Sequence, residues 1–311
     1  MTTFLVLLAL ICAPQLALYL AGQFGSFAYR LGRLVSNQTG GAALELLTGF
    51  VTAPSTTQTA LTMATGNSLT IRNAALNSKV QLLSAWVDAQ VRGILRIRSP
   101  KLHDNVQGIR LDTKANTIQP LIPPQFPQAL WPQDSLTVDL SGSATGGDIE
   151  TACLLVRYED LPGQSARLLT PDQVKARQVN IVTVENSLAT GTGGGYSGEE
   201  AINADFDLLQ ANTDYALLGY LVAPVAGQTD GGAACVRWRG ADTGNLGVGG
   251  PACDTDPFIT MRWFVWLSEQ SGLPCIPVFN SANRAGILLD AAQDENGLDI
   301  LVTSIFAQLK S

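Results

Sequence analysis

Two stretches of the chain close in the same way. Residues 135–160 read SLTVDLSGSATGGDIETACLLVRYED, and residues 286–309 read GILLDAAQDENGLDILVTSIFAQL. In the first, the short strand-like run Leu136–Leu140 leads through a polar turn with Gly146-Gly147 into the long apolar run Ile149–Asp160. In the second, Ile287–Ala291 leads through AQDENG, with Asn296-Gly297, into Leu298–Leu309. Gly-Gly and Asn-Gly tolerate the positive φ of tight reversals, so each stretch predicts a closing β-hairpin. Each also follows a proline-studded, extended passage, Gln119–Asp134 and Ser271–Ala285. Two such endings spaced about 150 residues apart predict a duplicated all-β unit. Chance convergence of two unrelated hairpins is the alternative.

Further β-like runs lie between turn residues on either side. They include SLTIR (Ser68–Arg72), VQLLSAWV (Val80–Val87), GILRIR (Gly93–Arg98), QVNIVTV (Gln178–Val184), YALLGYLV (Tyr215–Val222), ACVRWR (Ala234–Arg239) and FITMRWFVWL (Phe258–Leu267). Alternation such as Leu95/Ile97 against Ile94/Arg96/Arg98 places one face on a core and the other toward solvent or a partner. Many short strands with little helix between them point to antiparallel sandwiches. In LPGQSARLLTPDQVKARQ (Leu161–Gln178), Thr170 followed by Pro171 predicts a short linking helix through Arg177. The chain then divides into an apolar helix or anchor segment at residues 1–50, a first sandwich at 51–170, and the linking helix with a second sandwich at 171–311. Roughly 130 residues per half suffice for eight strands each, the jelly-roll count.

Composition narrows the function. Of 311 residues, 46% are hydrophobic and only 14% charged, against roughly 25% charged in an ordinary soluble domain. So few charges cover a lone molecule poorly and suit large, partly apolar subunit interfaces. A net charge of −7 argues against a protein built to grip phosphate backbones. Cys12, Cys153, Cys235, Cys253 and Cys275 are odd in number and include no C-x-x-C spacing. They read as reduced and structural, with a Cys253–Cys275 or Cys235–Cys253 bridge as the alternative. Residues 1–50 contain only Arg30, Arg33 and Glu45 as charges, and Phe4–Leu20 is an apolar run of 17 residues. No basic n-region and no good cleavage site mark it as a secretory signal. It suits lipid contact or packing under neighbouring subunits, with an ordinary core helix as the other reading.

The paired all-β halves, the bridge at Pro171–Gln178, the twin closing stretches and the apolar N-terminal segment together resemble the double jelly-roll major capsid proteins of tailless icosahedral viruses. The resemblance spans most of residues 51–311 and rests on pattern, without a short diagnostic motif. It implies an all-β fold of two tandem eight-stranded jelly rolls. It further implies a homotrimer of pseudo-hexagonal outline, set among neighbouring trimers and other capsid proteins in a virion shell. The N-terminal segment would face the interior or an internal membrane, with lipid contact through Phe4–Leu20, and direct nucleic-acid binding is not expected.

Chemistry-bearing motifs are few. GGGYSG (Gly193–Gly198) satisfies G-x-G-x-x-G, but Glu185–Thr190 separate the preceding strand from the glycine run, and Glu199-Glu200 would repel a pyrophosphate; it reads as a flexible loop. Asp205/Asp207, Asp254/Asp256 and Asp294/Glu295 read as loop solvation, and His103 beside Asp104 lacks an evident nucleophile. Arg92, Arg96, Arg98 and Lys101 form a basic cluster suited to acidic loops across a subunit boundary or to anionic lipid. Trp263, Phe264 and Trp266 with Arg262 read as core and interface, or as a sugar-binding surface. Asn37-Gln38-Thr39 is a sequon, meaningful only in an exported segment. No catalytic, cofactor-binding or metal-ligating residue is assigned, and no enzyme activity is expected. The competing functions are a secreted tandem jelly-roll carbohydrate-active enzyme and a membrane-tethered adhesin or lectin.

Overall fold

A computed structural model describes residues 42–63, 79–89, 91–102, 108–112, 123–131, 134–159, 166–189, 194–202, 209–224, 233–252, 257–293 and 299–310. Residues 41–311 form one compact unit. The helix expected before it and the run SLTIR lie outside the described residues.

The first half consists of β1 (Ala43–Thr52), β2 (Thr59–Ala60), β3 (Thr62–Met63), β4 (Val80–Asp88), β5 (Ile94–Arg98), β6 (Ile109–Asp112), β7 (Gln128–Leu130), β8 (Thr137–Ser141) and β9 (Ile149–Tyr158). A two-residue strand β10 (Leu168–Leu169) and the helix α1 (Pro171–Arg177) follow. The second half contains β11 (Gln178–Leu188), β12 (Tyr196–Ala201), β13 (Asp214–Pro224), β14 (Ala233–Arg239) and β15 (Val248–Pro251). It continues with the helices α2 (Pro257–Thr260) and α3 (Trp263–Ser271), then β16 (Ile276–Asn280), β17 (Leu288–Gln293) and β18 (Ile300–Leu309).

Strand order decides the fold class. One sheet of the first half runs β1-β9-β4-β7, with β3 added beside β1, and the other runs β2-β8-β5-β6. In the second half the sheets run β11-β18-β13-β16, with β10 beside β16, and β12-β17-β14-β15. Counting the principal strands of each half from one to eight, both halves show a 1-8-3-6 sheet and a 2-7-4-5 sheet. All strands pair antiparallel. Each half is therefore a jelly roll, and the chain is an all-β double jelly roll with a short linking helix. The repetition reaches single residues. In the first half, strand 3 carries a one-residue bulge opposite Val156/Leu155; in the second, strand 3 bulges opposite Phe306/Ile305.

Three sequence expectations need correction. The closing stretches are not hairpins. β8 pairs with β2 and β5, whereas β9 pairs with β1 and β4, so the turn SGSATGGD carries the chain from one sheet to the facing one. β17 and β18 are divided between sheets in the same way. Gly147 does adopt φ +100, so the turn chemistry was legible, but a reversal between sheets needs the same residues as one within a sheet. Second, strand one begins at Ala43, inside the stretch assigned to the leader, because ALELLTGFVT, with Glu45 as its one charge, continues the leader's mostly apolar composition. Third, FITMRWFVWL is helical. Trp263, Phe264 and Leu267 are buried at helical spacing, and Gly272 ends α3 at φ +66, so packing overrides the β preference of the aromatics.

The linking helix forms as its sequence indicates. The Thr170 hydroxyl accepts from the Gln173 N–H while the Gln173 side chain accepts from the Thr170 N–H, and Pro171 stands in the first turn.

Two cores fill the molecule. Leu47, Leu154 and Val156 point into the first sandwich. Their neighbours Leu46, Cys153 and Leu155 point the other way and join Trp86 in the core of the second half. The 1-8-3-6 sheet of the first half is thus covered on both faces, once by its own partner sheet and once by the second half. That is why all ten residues of β9 are buried and why IETACLLVRY lacks polar alternation.

Candidate functional site

The junction between the sandwiches brings together hydroxyl, thiol and indole groups from both halves. The Leu46 N–H donates to the Gly247 carbonyl at 3.0 Å. The Thr48 hydroxyl lies 2.7 Å from the Tyr196 hydroxyl and 3.7 Å from both the Cys153 and the Cys235 sulfur. Trp86 Nε1 donates to the Ala234 carbonyl at 3.3 Å, and its ring meets Trp263 edge-on with centroids 5.6 Å apart. Trp266 stacks on Trp263, whose own Nε1 donates to the Gly249 carbonyl at 3.1 Å. Arg157 Nε donates to the Pro274 carbonyl at 3.2 Å. Gly194 holds φ +77 where a Cβ would strike the Phe50 ring at 2.4 Å, so β12 can approach β1 only with glycine there.

A second arrangement occurs twice. In the first half, Arg96 faces Asp139 across β5 and β8, and Arg96 Nη2 and Arg98 Nη2 reach the same carboxylate oxygen at 2.7 and 2.8 Å. In the second half, Arg237 faces Asp290 across β14 and β17 and binds it with Nε at 2.9 Å and Nη2 at 2.7 Å. Arg239 Nε completes this group at 3.0 Å. Each half therefore holds two strand-4 arginines on one strand-7 aspartate, an Arg-x-Arg/Asp clamp. Their surroundings differ. The Arg237 side chain is 7% exposed and Asp290 2%, whereas Arg96 and Arg98 are 26% and 23% exposed. The Arg237 guanidinium also lies 3.5 Å from the centre of the Tyr196 ring, a cation–π contact made in a desolvated setting. Burial opposes its charge, but the Asp290 hydrogen bonds win and hold Arg237 firmly protonated.

The three described cysteines near these groups differ in acidity. Burial, reinforced by the neighbouring Cys235, pushes the Cys153 thiol well above its usual range, and burial pushes the Cys275 thiol up to about 11. Cys235 goes the other way: burial raises its thiol, but hydrogen bonds with Cys153, Thr48 and Tyr196 and the charge of Arg237 outweigh it and lower the pKa. Cys153, Cys235 and Cys275 are free; Cys12 and Cys253 lie outside the described residues. Among the described residues no three metal-ligating side chains cluster, and no helix is long and apolar enough to cross a membrane. The Tyr158 hydroxyl donates to buried Glu45 at 2.6 Å, so Glu45, like Asp139 and Asp290, is committed to structure.

Sequence and comparison structures frame this site. No family model and no curated protein matches the chain. Among solved structures it is similar to the PBSX exported protein XepA, at 10% identity and TM-score 0.24, over 84% of this chain and 86% of that one. It is also similar to the Macrobrachium rosenbergii nodavirus structure, at 10% identity and TM-score 0.20, over 87% of this chain and 89% of that one. The major capsid protein P2 of bacteriophage PM2 gives 9% identity and TM-score 0.20, over 86% of this chain and 98% of that one. The double jelly-roll assignment rests on the strand order of the chain itself.

The residues singled out in the sequence are distributed unevenly. Arg96 and Arg98 join the first clamp, Arg92 pairs with Asp112 at 2.6 Å, and Lys101 lies over the Trp131 ring. The basic cluster is thus largely neutralised within its own sandwich. Trp263, Phe264 and Trp266 pack at the junction as core. The glycine run continues from Tyr196 into β12 instead of remaining loop, and Glu199 pairs with Arg239. His103 and the three acidic pairs lie outside the described residues. The second clamp was missed, although its signal was present: ILRIR with TVDL in one half, CVRWR with LLDA in the other.

Proposed function

We propose that the chain is a structural coat protein of a virion, one that self-assembles as trimers into an icosahedral shell. Its mechanism is the repeated burial of apolar surface between copies, without catalysis. The segment preceding β1, with Phe4–Leu20, faces the particle interior or an internal membrane, and other capsid proteins complete the shell.

The observation that supports this reading is the fusion of two sandwiches of identical strand order, each with the same clamp, through one shared core. A body made of two like units places six like units around an axis when three copies meet, which fills a hexagonal cell of a closed shell. The charge fraction of 14% agrees with a molecule whose flanks are covered by neighbours. The test is negative-stain electron microscopy of the expressed full chain, with its mass measured in solution. Hexagonal sheets, closed particles or trimers are expected. A chain that remains a single molecule at every concentration overturns the reading.

A further inference from the structure

Two sulfur atoms face each other across the junction from different sandwiches. Cys153 stands on β9 in the first half and Cys235 on β14 in the second. Both are free and fully buried, and the Thr48 hydroxyl lies 3.7 Å from each sulfur. The two thiols also hydrogen-bond to one another. We propose that Cys153 and Cys235 form a latent redox lock: a peroxide oxidises them to a disulfide that joins the two sandwiches of one chain. The lock stands on the junction alone and does not depend on the coat reading.

The repeat shows that the pair belongs to the junction and not to the sandwich plan. The shared bulge makes Thr303 the counterpart of Cys153. Aligning the clamps makes Ile94 the counterpart of Cys235. Neither counterpart carries sulfur. A Cys153–Cys235 bond closes a loop that contains the linking helix and β11–β13. Removing that freedom from the unfolded chain favours the folded one.

The surroundings divide the work between the two thiols. Burial opposes ionisation of both, but the hydrogen bonds and the Arg237 charge that favour the Cys235 thiolate make Cys235 the attacking sulfur. Its thiolate bonds to one peroxide oxygen, the O–O bond breaks, and the departing hydroxide takes the Cys153 proton and leaves as water. The Cys153 thiolate then displaces hydroxide from the Cys235 sulfenic acid, and that hydroxide takes up the proton Cys235 had lost. Two thiols give up two electrons and two protons, and one hydrogen peroxide becomes two waters. The way in is β12. The Tyr196 hydroxyl lies 3.7 Å from the Cys235 sulfur, yet β12 is an edge strand, and none of its six residues is fully buried. Its pairing with β17 is irregular between Ser197 and Glu200. Local opening of such an edge admits a molecule little larger than water.

The test treats the folded full chain with hydrogen peroxide, unfolds it, blocks the remaining thiols with iodoacetamide and maps its tryptic peptides by mass spectrometry. The expected product is the Cys153 peptide joined to the Cys235 peptide, lighter by two hydrogens, with both thiols recovered after dithiothreitol. The oxidised chain should migrate faster on a non-reducing gel and unfold at a higher urea concentration than the reduced one. Cys153→Ser should abolish the link and leave Cys235 as a sulfenic acid that dimedone captures. Should that variant fail to fold, the wild-type map decides by itself. The lock is overturned if both thiols stay unreacted at peroxide concentrations that fully oxidise free glutathione, or if Cys235 passes to the sulfinic acid without the link. It is equally overturned if either sulfur joins another cysteine instead, or if the link appears only once urea has opened the chain. None of these outcomes bears on whether copies of the chain associate.

Discussion

β9 and β18 occupy the same place in their sandwiches, as eighth strands flanked by strands one and three, with the same bulge opposite them. Their burial differs. β9 is buried at every position, whereas β18 alternates between buried Ile300, Val302, Ser304 and partly exposed Leu301, Thr303, Ile305 before its buried last stretch, Phe306–Leu309. The plan of the sheet is common to both; what differs is the cover on its outer face, a whole sandwich over β9 but only helical segments near one end of β18. Burial over the first six positions therefore reports what lies against the outer face, and the clamps differ at their first arginine, Arg237 being 7% exposed and Arg96 26%.

Substitutions can break that comparison at graded cost. Asp290→Ala leaves the buried Arg237 without its carboxylate, while Arg239 keeps Glu199, and should lower stability by about 3–5 kcal/mol, read as a shift in the urea midpoint. Leu155→Ala, at a fully buried position between the sandwiches, should cost about 3 kcal/mol in the same measurement. Asp139→Ala removes the same chemistry from a clamp whose arginines still reach water, and about 1–2 kcal/mol is expected. A cost equal to that of Asp290→Ala would refute the burial argument. Ile305→Ala, the counterpart of Leu155→Ala, should cost about 1 kcal/mol in the single chain, since only part of its surface is buried.

The smallest effect is on pH dependence. Hydrogen bonds from Arg167, opposed by burial and aided by Asn280, hold the Asp214 carboxyl below its usual range. A lowered carboxyl pKa stabilises the fold above about pH 4 and ceases to do so as pH falls through the folded value. Asp214→Asn should therefore lower the neutral plateau of the stability profile slightly and flatten its acid limb, the two profiles converging at low pH, as read by urea midpoints across the pH range.

Much of the fold was legible in the sequence. Alternation in GILRIR, the cap at Thr170 and the two closing stretches pointed to twin jelly rolls because strand period, capping and turn chemistry are local signals. Pairing partners are not local: SGSATGGD reads alike whether it joins neighbours or crosses between sheets. Trp263–Leu267 misled because aromatic residues favour strands unless a core demands a helical spacing. The clamp was half-legible. Arg96 and Arg98 stood out as charges in an apolar run, but only the register with β8 ties them to Asp139.

The position of β18 constrains how the molecule can be made. It lies between β13 and β11, interior to its sheet, although it follows every other described strand along the chain. Until Leu309 has emerged from the ribosome, β11 and β13 have no common neighbour, and the second sandwich remains an open groove of apolar side chains. The arrival of β18 thus completes the sandwich: a chain cut short before Ile300 keeps that groove open.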